Sequence, residues 1–178
     1  MLQPYDCGFF LTRTTLLSST FQNPNAAYLP SSQSATIPSP MNNGLENSRR
    51  FRALPVYAVL VSYGCTGFSE IFAKQVRLAR AVARFIDKSE GLELLVGGKE
   101  SGGTESYQET HIIVIFRAKD EAVNDVLVQK INETRRIYVS GTKWQGKKAC
   151  RIAVSTWRVD VDKDLKLVSD VLRQVSGG

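Results

Sequence analysis

Two stretches of helical periodicity followed by β, β, α, β, β, α predict an α+β chain, a mainly antiparallel sheet with helices packed on one face. Apolar residues recur at three- and four-residue steps over residues 69–88 and 161–175, the signature of one-sided helices. Short apolar or alternating runs occupy residues 92–96, 111–116, 137–140 and 149–155, as strands require. Glycine-bearing joints at Gly64, Gly67, residues 97–106 and Gly146 separate these segments.

In chain order, residues 1–47 differ from the rest. They are rich in Ser, Asn and Pro and predict a short strand at 7–12, then a long loop broken by Asn23, Pro24, Asn25, Pro30, Pro38 and Pro40. Loops of that length are uncommon inside a compact unit, so this one is functional, mobile, or part of a larger body. A helix is expected over 48–63, kinked by Pro55 and ended by Gly64 and Gly67.

The next helix, over 69–88, carries Phe72, Val76, Ala79, Val82, Ala83 and Ile86 on one side and Arg77, Arg80, Arg84 and Lys88 on the other. Five consecutive apolar residues from Ile112 to Phe116 predict a strand covered on both faces. A helix follows over 120–135. Ile137 and Val139 then alternate with Tyr138 and Ser140, and a turn at 143–147 leads into the last strand. Asp160 is the expected N-cap of the final helix, Asp162 and Asp164 suit its positive end, and Gly177 and Gly178 close it.

The 178 residues suffice for one ordinary domain, and 43% apolar with 22% charged residues is a globular composition. The longest apolar runs, 54–61 and 112–116, are too short for a bilayer, and the amino terminus has no basic segment followed by an apolar one. A chain with no membrane span and no secretory signal is therefore expected. Cys7, Cys65 and Cys150 lie far apart and match no metal-ligand spacing, which fits reduced thiols in the cytoplasm and no metal. A formal charge of +6 admits an RNA partner, a phosphate ligand, or an incomplete protein missing its acidic half. No RNP-like aromatic run appears on the strands at 111–116 or 149–155, so nucleic acid is not the expected partner.

Candidate chemistry is sparse. His111, the one histidine, stands at a strand edge with no Ser or Cys constellation and reads as a solvated strand-end residue. The glycine-rich stretch 97–103 lacks phosphate-loop spacing and reads as a surface loop. Ser48-Arg49-Arg50-Phe51-Arg52 is more informative, because a helix start offers free N–H groups to an anion and arginine adds bidentate contacts.

Four stretches together resemble the group II pyridoxal-phosphate-dependent amino-acid decarboxylases. They are Pro4-Tyr5-Asp6-Cys7-Gly8; Ser48-Arg49-Arg50-Phe51-Arg52-Ala53-Leu54-Pro55-Val56-Tyr57 with Tyr63-Gly64 and Gly67-Phe68; Gln75-Val76-Arg77-Leu78-Ala79; and Arg136-Ile137-Tyr138-Val139-Ser140-Gly141-Thr142 continuing to Arg151-Ile152-Ala153-Val154-Ser155 and Trp157. The resemblance implies the C-terminal part of a fold-type I enzyme. Residues 1–47 would be a remnant of the large cofactor domain with its mobile catalytic loop, 48–90 linking helices, and 91–178 the small C-terminal domain.

It also implies pyridoxal 5′-phosphate as cofactor, an L-amino acid as substrate with aromatic ahead of glutamate, and a homodimer. Tyr28 falls where the family's loop tyrosine protonates the intermediate, and Ser48, Arg49 and Arg50 fall where the cofactor phosphate is contacted. The resemblance places the Schiff-base lysine just before Met1, with the ring-stacking histidine and the aspartate that pairs with the ring nitrogen also upstream; no lysine occurs before Lys74. On that reading the chain alone is a truncated, inactive form, and the alternative is a non-catalytic module that pairs with an intact decarboxylase chain.

Overall fold

The computed structural model describes residues 8–14, 16, 20, 50–96 and 106–177. The chain divides into two compact units, Leu2–Ser62 and Tyr63–Gly178.

In the first unit, residues 8–14 form no strand and are exposed, which corrects the strand expected at 7–12 over its described part. A lone strand has no ladder partner to satisfy its backbone. Here the hydroxyls of Thr12 and Thr14 accept from the N–H groups of Thr14 and Leu16, at 3.1 and 3.2 Å.

Helix α1, Ala53–Asp87, begins in this unit and continues into the second. Pro55 does not kink it. It lies in the first turn, where a backbone N–H would have no helical acceptor, so its missing donor removes no bond. The break is at Gly64, whose φ of 58° and ψ of −173° are non-helical and lie in a region open essentially to glycine. Gly67 belongs to the same device, since a Cβ there would sit 2.9 Å from the Cβ of Tyr63.

By length and composition α1 could cross a membrane, with a stretch of mean hydropathy 1.3 of which 6% is buried, contrary to the expectation drawn from unbroken apolar runs. Tyr57, Ser62 and Tyr63 interrupt the run at little cost in average hydropathy. Leu54, Tyr57, Leu60 and Val61 are exposed.

In the second unit α1 buries Ile71, Gln75, Leu78, Ala79, Val82, Ala83 and Ile86. The buried stripe is rotated slightly from the expected one, leaving Phe72 exposed. Lys74, Arg77, Arg84 and Lys88 face solvent as expected, while Arg80 is half-buried. Arg80 donates to the carbonyls of Thr110 and Gln108, and Arg84 lies over the Tyr107 ring, whose hydroxyl donates to Asp87 at 2.6 Å. These bonds fix the 3-10 helix Ser106–Glu109 against α1.

Four strands follow: β1, Leu92–Leu94; β2, Ile113–Ala118; β3, Ser140–Trp144; and β4, Lys147–Ala153. They form one antiparallel sheet in the order β1-β2-β4-β3. Helix α2, Glu121–Glu133, joins β2 to β3, and α3, Val161–Ser176, follows β4. The α+β class is thus the observed one.

Strand β2 is not covered on both faces. Val114, Phe116 and Ala118 are buried, whereas Ile113, Ile115 and Arg117 are half-buried, the alternation of a one-sided strand. Val114 pairs with Ile152 and Phe116 with Cys150, so β4 continues the same buried face. Leu127 and Ile131 of α2, Val171 and Leu172 of α3, and the buried residues of α1 complete one core.

Local chemistry sets the joints. Asp120 and Asp160 cap α2 and α3 by accepting from Val123 and Lys163, at 2.9 and 3.2 Å. Gln145 and Gly146, with φ of 48° and 80°, make the two-residue β3–β4 turn. Asn132 clamps the α2–β3 turn, donating to the Val139 carbonyl at 3.0 Å and accepting its N–H at 2.8 Å. Gly177 ends α3 in the left-handed conformation.

Gly64→Ala gives a sign-diagnostic test. Ala normally stabilises a helix relative to Gly by about 1 kcal/mol. At this φ and ψ the substitution is expected to destabilise by about 1–3 kcal/mol in urea unfolding.

Candidate functional site

Of the residues singled out for chemistry, Tyr28, Ser48 and Arg49 lie outside the described residues, as does the glycine-rich segment 97–105. Arg50 is described. It is exposed, three positions ahead of α1, and its carbonyl accepts from the N–H of Arg52 at 2.8 Å. The turn tightens the chain just before the helix, and Leu54 N–H bonds the Phe51 carbonyl at 3.3 Å.

An exposed guanidinium beside a helix start fits a phosphate in charge and geometry. The other half of a pyridoxal-phosphate site needs groups for the ring. His111 is exposed just ahead of β2, and Lys74, the first lysine, is exposed on α1. Neither offers an enclosed place to stack or tether a ring. The described residues therefore fit the phosphate end and not the ring. No group of three or more metal-ligating side chains occurs among the described residues.

The sequence did not assign a role to an aromatic group that the fold assembles. Tyr63 meets Phe68 and Trp157 edge-on, each at 6.2 Å between ring centroids, and Phe68 meets Phe72 at 6.0 Å. Arg158 lies over Trp157 at 4.5 Å, and Gln75, buried, donates to the Thr156 carbonyl at 2.8 Å. The kink at Gly64 and the bare Gly67 let Tyr63 take this place. The residues were visible in the sequence, but a contact between positions 63 and 157 is set by topology alone.

Cys65 and Cys150 are free thiols of opposite character, Cys65 exposed and Cys150 buried. Burial pushes the Cys150 thiol from 9.0 up to about 12, against a smaller lowering by the Arg151 backbone hydrogen bond. It is a core side chain and not a nucleophile.

The unit from Tyr63 onward is thus an α+β domain of four antiparallel strands backed by helices, with its candidate chemistry upstream of it. In solved structures the same arrangement is similar to Oryza sativa TDC with PLP and tryptamine, at a TM-score of 0.68 and 19% identity over 90% of this chain and 33% of that one. Among curated proteins, the chain is 33% identical over 96 residues to the L-2,4-diaminobutyrate decarboxylase of Acinetobacter baumannii, covering 53% of this chain and 19% of the relative. It is 26% identical over 164 residues to the aromatic-L-amino-acid decarboxylase of Sus scrofa, covering 90% and 31%. The chain therefore spans about a third or less of these relatives.

Residues 1–118 match the model of the pyridoxal-dependent decarboxylase conserved domain. The chain belongs to the pyridoxal-dependent decarboxylase family.

In a Cys7→Ser background at pH 8, Ellman's reagent is expected to titrate Cys65 at once and Cys150 only on unfolding. The raised folded pKa of Cys150 also sets a sign. Its contribution to stability is complete below 9.0 and is lost as pH rises toward about 12, so the urea midpoint is expected to fall across that window.

Proposed function

We propose that this chain serves the pyridoxal-phosphate-dependent decarboxylation of an L-amino acid, aromatic in preference to glutamate. The observation that carries the reading is the family match over residues 1–118, which includes Tyr28, Ser48, Arg49 and Arg50. The cofactor, when bound, supplies the electron sink for the bond to the departing carboxylate. Residues of this chain would act around it. Arg50, with Ser48 and Arg49, would hold the phosphate by charge-assisted hydrogen bonds, and Tyr28 would deliver a proton to carbon from its phenol.

The aromatic preference rests on two features. The Sus scrofa relative, matched over most of this chain, is an aromatic-L-amino-acid decarboxylase. The rice structure with a similar fold holds tryptamine. A homodimer in the cytoplasm belongs to the same proposal, the free thiols of Cys65 and Cys150 being in keeping with a reducing compartment.

No lysine precedes Lys74, and Lys74 is exposed on α1; on this reading the tethering lysine is supplied from outside this sequence. The exposed side chains of Leu54, Tyr57, Leu60 and Val61 call for cover. We propose that the cover is protein and not lipid, because Gly64 interrupts the helical backbone of α1, the one helix among the described residues long enough to span.

A second reading has its own support. Phe9, Phe10 and Leu11 are 70%, 79% and 90% exposed, an apolar patch suited to a non-catalytic module that pairs with an intact decarboxylase chain.

Transcripts read upstream of Met1 decide between them. An open frame reaching a His-Lys pair supports the enzyme. The extended protein is then expected to release carbon dioxide from L-tryptophan or L-tyrosine with pyridoxal phosphate. Tyr28→Phe is expected to lower its kcat by roughly 10²–10⁴-fold. A frame that stops at Met1 favours the pairing module, which co-purification with a full-length decarboxylase would detect.

A further inference from the structure

Helix α2 packs across β2 and β4. Beside it, edge strand β3 presents Gly141, where even an added Cβ would stand 3.9 Å from the nearest Val128 methyl. The space left is a cleft of about 400 Å³, within the range of small-molecule sites. Leu127, Val128, Gly141 and Cys150 give it an apolar floor. Asn124 holds its wall rigid, accepting from the Ala118 N–H and donating to the Lys148 carbonyl, both at 3.1 Å.

The mouth carries an electrostatic imbalance. Lys143 and Lys148 are directly opposed across β3 and β4, so both project from the same face, and both line the cleft. Like charges opposed in this way destabilise a sheet pair. Asp125 relieves Lys148 through an ion pair at 2.8 Å. Lys143 has no carboxylate partner among the described residues. A bound anion would complete the neutralisation, and the floor beneath favours an apolar body attached to it.

We propose that this cleft binds a small amphipathic carboxylate, with its apolar part over Leu127 and Val128 and its carboxylate at Lys143 and Lys148. The site is separate from the decarboxylase reading and does not rest on it. A neutral apolar ligand would leave the lysine pair uncompensated, and a bare inorganic anion would leave the floor wet.

The test is calorimetric titration of the 178-residue chain with 3-phenylpropionate, paired with two-dimensional amide NMR. Saturable binding is expected, with shifts centred on Leu127, Gly141 and Cys150. 3-Phenylpropanamide, which lacks the charge, is expected to bind about fivefold more weakly, and Lys143→Glu to weaken the acid by at least as much. Gly141→Leu is expected to block the floor, and Lys74→Glu, an equal charge change on exposed α1, to leave binding intact. Absence of saturable binding overturns the proposal. So does equal affinity for acid and amide, or binding that survives both Lys143→Glu and Gly141→Leu in chains that unfold cooperatively.

Discussion

One constraint organises the described structure: a four-stranded antiparallel sheet has a single face to bury, and every helix of the second unit must serve it. Phe116, fully buried, sits opposite Cys150 in the β2–β4 ladder, with Val114 opposite Ile152 beside it. Each such side chain is worth about 1.5–3 kcal/mol of transfer free energy. A one-residue slip of β2 against β4 would turn Phe116 outward and Arg117 inward, so the register is strongly specified. The helices follow from it. Ala79 and Ala83, with no exposed surface, let α1 approach closely, while Leu127, Ile131, Val171 and Leu172 bring α2 and α3 into the same core.

How far the sequence disclosed this depended on whether a signal was local. Period and capping are local, so the order of elements, the Asp160 cap, the turn at Gly146 and the stop at Gly177 could all be read, and Asp120 was placed at the start of its helix though not as its cap. Burial depends on what lies opposite. The run from Ile112 to Phe116 looks fit for two covers, but among the described residues the helices supply only one. Pro55 and Gly64 show the same division. Both can break a helix, and only the position of the first turn, which shifts by a few residues, decides that Pro55 starts α1 and Gly64 bends it. Ser48, Arg49 and Arg50 carried a local signal, basic residues at a helix start, whereas Tyr28 was singled out only through resemblance, because a lone loop tyrosine has no recognisable spacing.

The aromatic group around Tyr63 joins these two kinds of information. Its glycines are required by geometry: Gly64 by a φ and ψ that side chains avoid, and Gly67 by the 2.9 Å approach to Tyr63. Its partner Trp157 lies in the segment between β4 and α3, which Gln75 also grips through Thr156. The kink and the distant segment thus stabilise each other, and neither would persist in an isolated helix.

The distribution of chemistry along the chain bears on what the second unit contributes. Several of its ionisable groups are engaged in structure: Arg80 and Asp87 hold the 3-10 helix, Arg117 pairs with Glu93 at 2.6 Å, and Asp125 pairs with Lys148. Cys150 is spent in the core. A fold of this kind can host many activities, and function has to be argued from the site. In this chain the residues with a catalytic reading all precede α1, on the stretch that the family match covers. The decarboxylase chemistry proposed here therefore belongs to the segment ahead of α1, and the α+β unit holds the C-terminal part of that helix.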